Sequence, residues 1–263
     1  MPVAQPPSPA EPYTSASTLD APLPGWLAEA VARARACGRK ALDESSGKRI
    51  LAACGIAVPS GVRVDGPAGL EDALATLRPP FVLKVDSPDL VHKSDVGGVR
   101  LGLADAAAVR LAMDGMSSAG RAHDFRIDGF LVEETAPEGH QVVVGGVMDP
   151  SFGPMMMVGL GGVFVEVLGD VAFRLCPLSR LDAREMVADL RGAALLAGAR
   201  GGPSADMSAL LDSMLAIGGE HGLLMRYGVH FPQIDVNPLI VGPAGAVAVD
   251  ARFILPASGD GDG

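Results

Sequence analysis

Apolar and polar residues alternate from Phe81 to Asp86. Phe81, Leu83 and Val85 share one face of an extended chain, and Val82, Lys84 and Asp86 share the other. The pattern predicts a strand. A polar loop, residues 87–95, interrupts it, and Gly97-Gly98 opens a second strand over residues 99–103. Elsewhere the apolar spacing is helical. Residues 26–40 read as a short amphipathic helix ending in Arg33, Arg35, Arg39 and Lys40, and basic residues suit a helix C-terminus. A second helix starts at Leu42, carries Ile50, Leu51 and Cys54 as its apolar stripe and stops at Gly55. Further helices are predicted over residues 70–77, 104–116, 181–194 and 207–227. Strands are predicted over 56–58, 130–132, 141–147 and 163–167, with Arg174 in another. Residues 117–128 read as a loop or ragged strand, and 135–140 as a turn-rich connector. A last hairpin pairs QIDVNPLIV with AVAVDARFIL across residues 242–245.

That hairpin carries candidate chemistry. With a symmetric loop, Val241 faces Ala246 and Asn237 faces Asp250, and Asp235 shares the face of Asn237. An amide carbonyl opposite a carboxylate makes half of a Mg²⁺ site, which phosphate oxygens and waters complete. The competing reading is an Asn-Pro turn beside an unrelated aspartate. Lys84, His92 and Lys93 gather near one sheet edge beside flexible glycines, a composition suited to anionic phosphates. Gly159-Leu160-Gly161-Gly162 permits close backbone approach. Arg174 can grip a phosphate bidentately, or pair with Glu166 or Asp170.

Composition narrows the classes. The 263 residues suffice for one large domain or two lobes. A net charge of −10 argues against nucleic acid as a partner. Cys37, Cys54 and Cys176 are odd in number and widely spaced, so neither a disulfide framework nor a zinc site is indicated. They suit a reducing cytoplasm. No secretory signal and no membrane-length apolar run is visible. Residues 1–25 read as a disordered tail, 26–40 as a helical extension, 41–255 as the folded domain and 256–263 as a flexible tail.

Four stretches carry a resemblance: LKVDSPDLVHKSDVGGV from Leu83, the block from Leu42 to Val64, DPSFGPMMMVGLGGVFVEVLGDVAFRLCPL from Asp149, and DVNPL with the later Val249-Asp250. They resemble the ATP-grasp domain of ADP-forming acyl-CoA synthetases of the acetate–CoA ligase type. The hairpin is also similar to that of the nucleotide subunit of succinyl-CoA synthetase. The resemblance covers residues 42–255. It implies an α/β ATP-grasp fold with two lobes around a nucleotide cleft, ATP or ADP and Mg²⁺ as cofactors, and coupling of ATP to acyl-CoA formation. It places adenine at the connector, acids such as Glu133 and Glu134 at the ribose, and Gln141 where the family has a further acid. It implies phosphate contacts from Lys84 and Lys93, close approach at Gly161 and Gly162, and metal ligation by Asn237 and Asp250. Arg174 and His92 become the catalytic candidates, with His92 shuttling the phosphoryl group. Gly169 stands where the family has a lysine. No CoA-binding region is visible, so the resemblance implies a nucleotide-binding subunit in a hetero-oligomer with a CoA-binding alpha-type chain. A stand-alone carboxylate ligase, a regulatory nucleotide module and an inert scaffold remain the alternatives.

Overall fold

In the computed structural model, the residues described are 19–90, 93, 96–162, 169–199 and 204–257. They form two antiparallel sheets with separate cores. The smaller sheet has the order β1-β4-β2-β3, built from β1 (Gly61–Val64), β2 (Phe81–Asp86), β3 (Val99–Leu103) and β4 (Gly129–Glu134). Leu83, Val85, Phe130 and Val132 pack there against α3 (Leu70–Leu74) and α4 (Ala106–His123). The larger sheet has the order β10-β8-β5-β6-β7, with β9 extending β8. Its strands are β5 (His140–Asp149), β6 (Gly153–Leu160), β7 (Val171–Leu175), β8 (Gln233–Gly242), β9 (Gly245–Ala248) and β10 (Ala251–Ile254).

One face of the large sheet is apolar: Val142, Val144, Met156, Val158, Val236 and Phe253 are all buried. Among the described residues, six helices contribute to that core: α1 (Gly25–Ala36), α2 (Glu44–Ala53), α5 (Arg180–Ala188), α6 (Ala193–Leu196), α7 (Met207–Gly218) and α8 (Leu223–Tyr227). Phe231 and Phe253 meet edge to face with centroids 5.4 Å apart. Truncating Phe253 to alanine would cost about 3–5 kcal/mol through lost burial and the cavity left.

Several predicted boundaries move, each for a visible reason. The helix expected over 104–116 runs to His123, through residues read as a loop. Val109, Met113, Met116 and Gly120 form one buried stripe, and the chain stops only at Asp124, whose φ is +55°. The helix expected over 207–227 divides into α7 and α8 around Gly219 and Gly222, and the one over 181–194 divides into α5 and α6. Residues 56–58 contribute a single parallel bridge, Ala57 to Val247, in place of a strand. Residues 19–24, assigned to the tail, dock on α8: Ala21 N–H donates to the Arg226 carbonyl at 2.9 Å. The predicted strand over 163–167, residues 1–18 of the tail and the last six residues lie outside the described residues.

The chain crosses from small sheet to large sheet between Glu134 and His140. Gly139 sits so close to β8 that a Cβ there would lie 2.7 Å from the Val241 carbonyl oxygen. Because Val142 and Val144 enter the core, Gln141, Val143 and Gly145 lie on the opposite face of the sheet, where Gln141 is exposed and the other two are buried.

Candidate functional site

The site begins with α2. Asp43 caps it, its carboxylate accepting from Ser46 N–H at 2.9 Å, a cap of about 1 kcal/mol. Glu44, Lys48 and Leu51 follow at i, i+4 and i+7, so the charges occupy the same stripe as the fully buried Leu51. Gly47 lets the helix close on β10, since a Cβ there would be 2.9 Å from the Ala251 carbonyl oxygen.

On the small sheet, β2 is buried on both faces. Phe81, Leu83 and Val85 fill its core, which turns Lys84 to the other side, toward α2. The Lys84 ammonium bonds Glu44 Oε1 at 2.6 Å, Glu133 Oε2 at 3.0 Å and the Val249 carbonyl. A lysine has three N–H donors, and all three are used. Lys48 bonds Glu44 at 2.9 Å and also Glu133. Lys93 bonds the second Glu44 oxygen, Oε2, at 2.6 Å. Glu44 therefore holds three lysines from α2, β2 and the 87–98 loop.

The electrostatics follow from burial and these contacts. Burial pushes the Glu44 carboxyl upward, but Lys84, Lys93 and Lys48 outweigh it and hold the carboxyl well below the usual range. Burial likewise pulls Lys84 down, while Glu44, Glu133 and Asp250 more than offset it, so its ammonium is held above the ordinary lysine value. At Lys48 burial prevails and the ammonium is held below that value. Asp250 goes the other way: burial and the neighbouring Glu44 charge raise its carboxyl despite Lys93, Lys84 and Lys48. Asp250, Glu44 and Lys93 line a cavity of about 420 Å³, with Lys40, Asp86 and Arg252 around them, a size suited to a small ligand.

The hairpin pairs as expected. Val241 faces Ala246 and Leu239 faces Ala248; beyond the interruption, Val236 faces Ala251 in the same register. By that count Asn237 stands opposite Asp250, with Val249 N–H donating to the Pro238 carbonyl at 3.1 Å between them. Asn237 is exposed and Asp250 half-buried. No group of three or more His, Cys, Asp or Glu able to hold a metal occurs among the described residues. One carboxylate and one amide oxygen fit a Mg²⁺ whose remaining ligands come from phosphates and water. The raised Asp250 carboxyl fits the same role, because a cation there would relieve it.

The other candidates divide. Glu133 is buried beneath Lys84 and Lys48, which leaves it no free face toward a ribose. Glu134, at the start of the connector, pairs with Arg78 at 3.2 Å. Gln141 is exposed. Its carbonyl accepts from Gly161 N–H at 2.7 Å, and a Cβ on Gly161 would strike the Gln141 Cβ at 2.8 Å. Gly162 and Gly169 have φ of +63° and +56°, which favours glycine at both. Arg174 is placed elsewhere. It faces Met156 across β6–β7, on the helix-covered side, and binds Asp189 at 2.6 Å. Of the two expected partners, Asp170 instead accepts the backbone N–H groups of Arg191 and Gly192, and Glu166 lies outside the described residues. His92 lies outside them too; its neighbour Lys93 is the described part of that segment. The residues missed from sequence are Glu44 and Lys48. Their signal was a charged i, i+4 pair in line with Leu51 on an apolar stripe.

A model of the ATP-grasp domain matches residues 33–255. The beta subunit of ADP-forming acetate–CoA ligase I from Pyrococcus furiosus is 36% identical over 238 residues, covering 86% of this chain and 97% of that subunit. The ADP-forming acetate–CoA ligase I of Archaeoglobus fulgidus is 37% identical over 222 residues, covering 80% of this chain and 31% of that protein. The chain thus spans less than a third of the longer ligase and nearly all of the shorter subunit. A structure of dinucleotide-forming acetyl-coenzyme A synthetase 1 from Ca. Korarchaeum cryptofilum, in complex with coenzyme A, Ca-AMPCP and HgCl⁺, has a TM-score of 0.79 at 36% identity. It covers 87% of this chain and 99% of that one. A second structure of that synthetase, with coenzyme A and Mg-AMPPCP, has its phosphohistidine segment pointing towards the nucleotide binding site. Its TM-score is 0.72 at 35% identity, over 88% of this chain and 100% of that one. Two sheets with a buried charge cluster between them, a family model spanning most of the sequence and relatives above 30% identity over most of its length together make this chain a member of the ATP-grasp family.

Proposed function

We propose that this chain is the nucleotide-binding subunit of an ADP-forming acyl-CoA synthetase and works with a CoA-binding alpha-type chain. The observation that carries the reading is the link from Lys84 through Glu44 to Lys93. It fixes Lys93, the residue that follows His92 in the sequence, at the cavity wall shared with Asp250. Adenine lies along the 135–139 connector near Gln141, and the phosphates lie toward Lys93, with Lys84 held behind it by Glu44. Asn237 and Asp250 hold Mg²⁺, which neutralises phosphate charge when bound. A neutral His92 imidazole attacks the γ-phosphorus; a N–P bond forms, the P–O bond to ADP breaks, and ADP leaves. The phosphoryl group then passes to the acid's carboxylate at the partner's site. The CoA thiol attacks that acyl phosphate and releases phosphate.

A regulatory module that binds nucleotide without transferring phosphate is the second reading. Gln141 in place of an acid and the fully committed Lys84 favour it. One experiment separates the two. The purified chain should bind Mg-ATP and Mg-ADP yet make no acyl-CoA alone. The complex co-purified from its native source, given γ-labelled ATP, should place an acid-labile, base-stable label on this chain. His92→Ala should abolish that label while nucleotide binding persists. Label that survives His92→Ala, or normal turnover by the variant, defeats the shuttle.

A further inference from the structure

Among the described residues Glu44 is the one side chain that touches Lys48, Lys84 and Lys93 together, and it is only 7% exposed. Its oxygens divide the task. Oε1 takes Lys84 at 2.6 Å and Lys48 at 2.9 Å, while Oε2 takes Lys93 at 2.6 Å. Lys84 belongs to the small sheet and Lys93 to the loop beyond it, whereas Glu44 rides on a helix packed in the large-sheet core. Only a carboxylate with both oxygens available can fix two ammonium groups from separate segments at one spacing.

Charge alone does not require this arrangement. Glu44, Glu133 and Asp250 balance Lys48, Lys84 and Lys93 in one cluster, of which Glu44, Asp250 and Lys93 line the cavity. An acid among lysines that serve an anionic ligand lowers the attraction of the site. Its presence is useful there only if the placement it enforces outweighs the charge it subtracts.

We propose that Glu44 is a positioning residue: anchored through Oε1 by Lys84 and Lys48, it holds Lys93 through Oε2 at the cavity wall, where that ammonium receives the phosphates of the bound nucleotide. The proposal rests on the nucleotide-binding reading above and adds to it a residue that acts through Lys93.

The two effects have opposite signs, which makes the test decisive. Mg-ATP and adenosine affinities are measured by calorimetry on the full chain and on Glu44→Gln and Glu44→Asp. Removing the charge while keeping the shape should weaken Mg-ATP binding roughly tenfold or more, the cost of misplacing charge-assisted contacts. Adenosine binding should stay at the wild-type value, because it lacks phosphates. Unchanged or tighter Mg-ATP binding by Glu44→Gln overturns the proposal, since neutralising an acid near an anion gives that result by itself. Glu44→Asp keeps the charge and shortens the arm by one methylene, so it remains informative if the glutamine variant does not fold. It should also lose Mg-ATP affinity, and full retention by the aspartate variant counts against positioning. Equal losses of Mg-ATP and adenosine affinity assign Glu44 a purely structural role and overturn the proposal. A wild-type chain that binds adenosine and Mg-ATP with equal weakness defeats the nucleotide reading itself, an outcome distinct from all of these.

Discussion

Arg39 Nη1 lies 2.9 Å from the Asp86 carboxylate, and this contact joins the two lobes. Arg39 follows α1, whose Leu27, Ala30 and Ala34 sit in the large-sheet core, while Asp86 ends β2 of the small sheet. A second bond, to Asp128 at 2.7 Å, makes the bridge two-pronged. Asp86 keeps a contact with Arg63 at 3.2 Å, so Arg39→Met leaves it partly served. The expected loss is about 1.5–3 kcal/mol, the scale of a charge-assisted hydrogen bond. A urea titration checks it; a variant with the wild-type midpoint would show that the lobes are held elsewhere.

Glu44 gives the protein an acid-sensitive component. Its carboxyl is depressed in the fold, so its contribution is complete above the ordinary value of 4.5 and is lost as pH falls through the depressed value. Glu44→Gln leaves buried lysines short of an acid and should cost about 3–5 kcal/mol near neutrality. The gap between variant and wild type should narrow as pH drops below the ordinary carboxylate value. Urea midpoints from roughly pH 3 to pH 7 measure it, and a constant gap would contradict the assignment.

Asp250 has the opposite sign. Burial and the Glu44 charge raise its carboxyl, so its contribution to stability is largest at low pH and falls as pH rises through the raised value. Asp250→Asn should therefore leave the ligand-free protein as stable as wild type near neutrality, or about 1 kcal/mol more stable. The same variant should lose roughly 10–100-fold in Mg²⁺-dependent nucleotide affinity. Binding measured with and without magnesium separates the two effects. A variant that is destabilised yet keeps its magnesium dependence would make Asp250 a structural residue.

Gly139 tests the connector. Any side chain there meets Val241 and Gly242 backbone atoms within 2.8 Å, none of which can rotate away. Gly139→Ala should cost about 1–3 kcal/mol of stability, as overpacking does. It should also weaken adenosine and Mg-ATP binding alike, unlike Glu44→Gln. Calorimetry on both ligands distinguishes them.

Periodicity and turn residues placed β2, β3, the connector and the closing hairpin, because side chains alternate between the two faces along each strand and the hairpin loop is short. The facing of Asn237 and Asp250 was countable for the same reason: a short hairpin loop fixes every pair beyond it. The run from Leu83 to Val99 carried enough specific residues to name the family, which the match over residues 33–255 bears out. Partner choice among charges was not countable. Lys84, Lys93 and Glu44 are separated by up to 49 residues, and Lys48 and Glu133 by 85. Local pattern placed Lys84 on the face opposite the Phe-Leu-Val stripe, and only the packing of α2 across the sheet decided that Glu44 and Glu133 meet it there. Arg174 shows the converse: its strand was legible, but the side of the sheet covered by α5 decided that it binds Asp189. Periodicity is a property of neighbouring residues, whereas the pairing of buried charges is settled by which distant surfaces exclude water together.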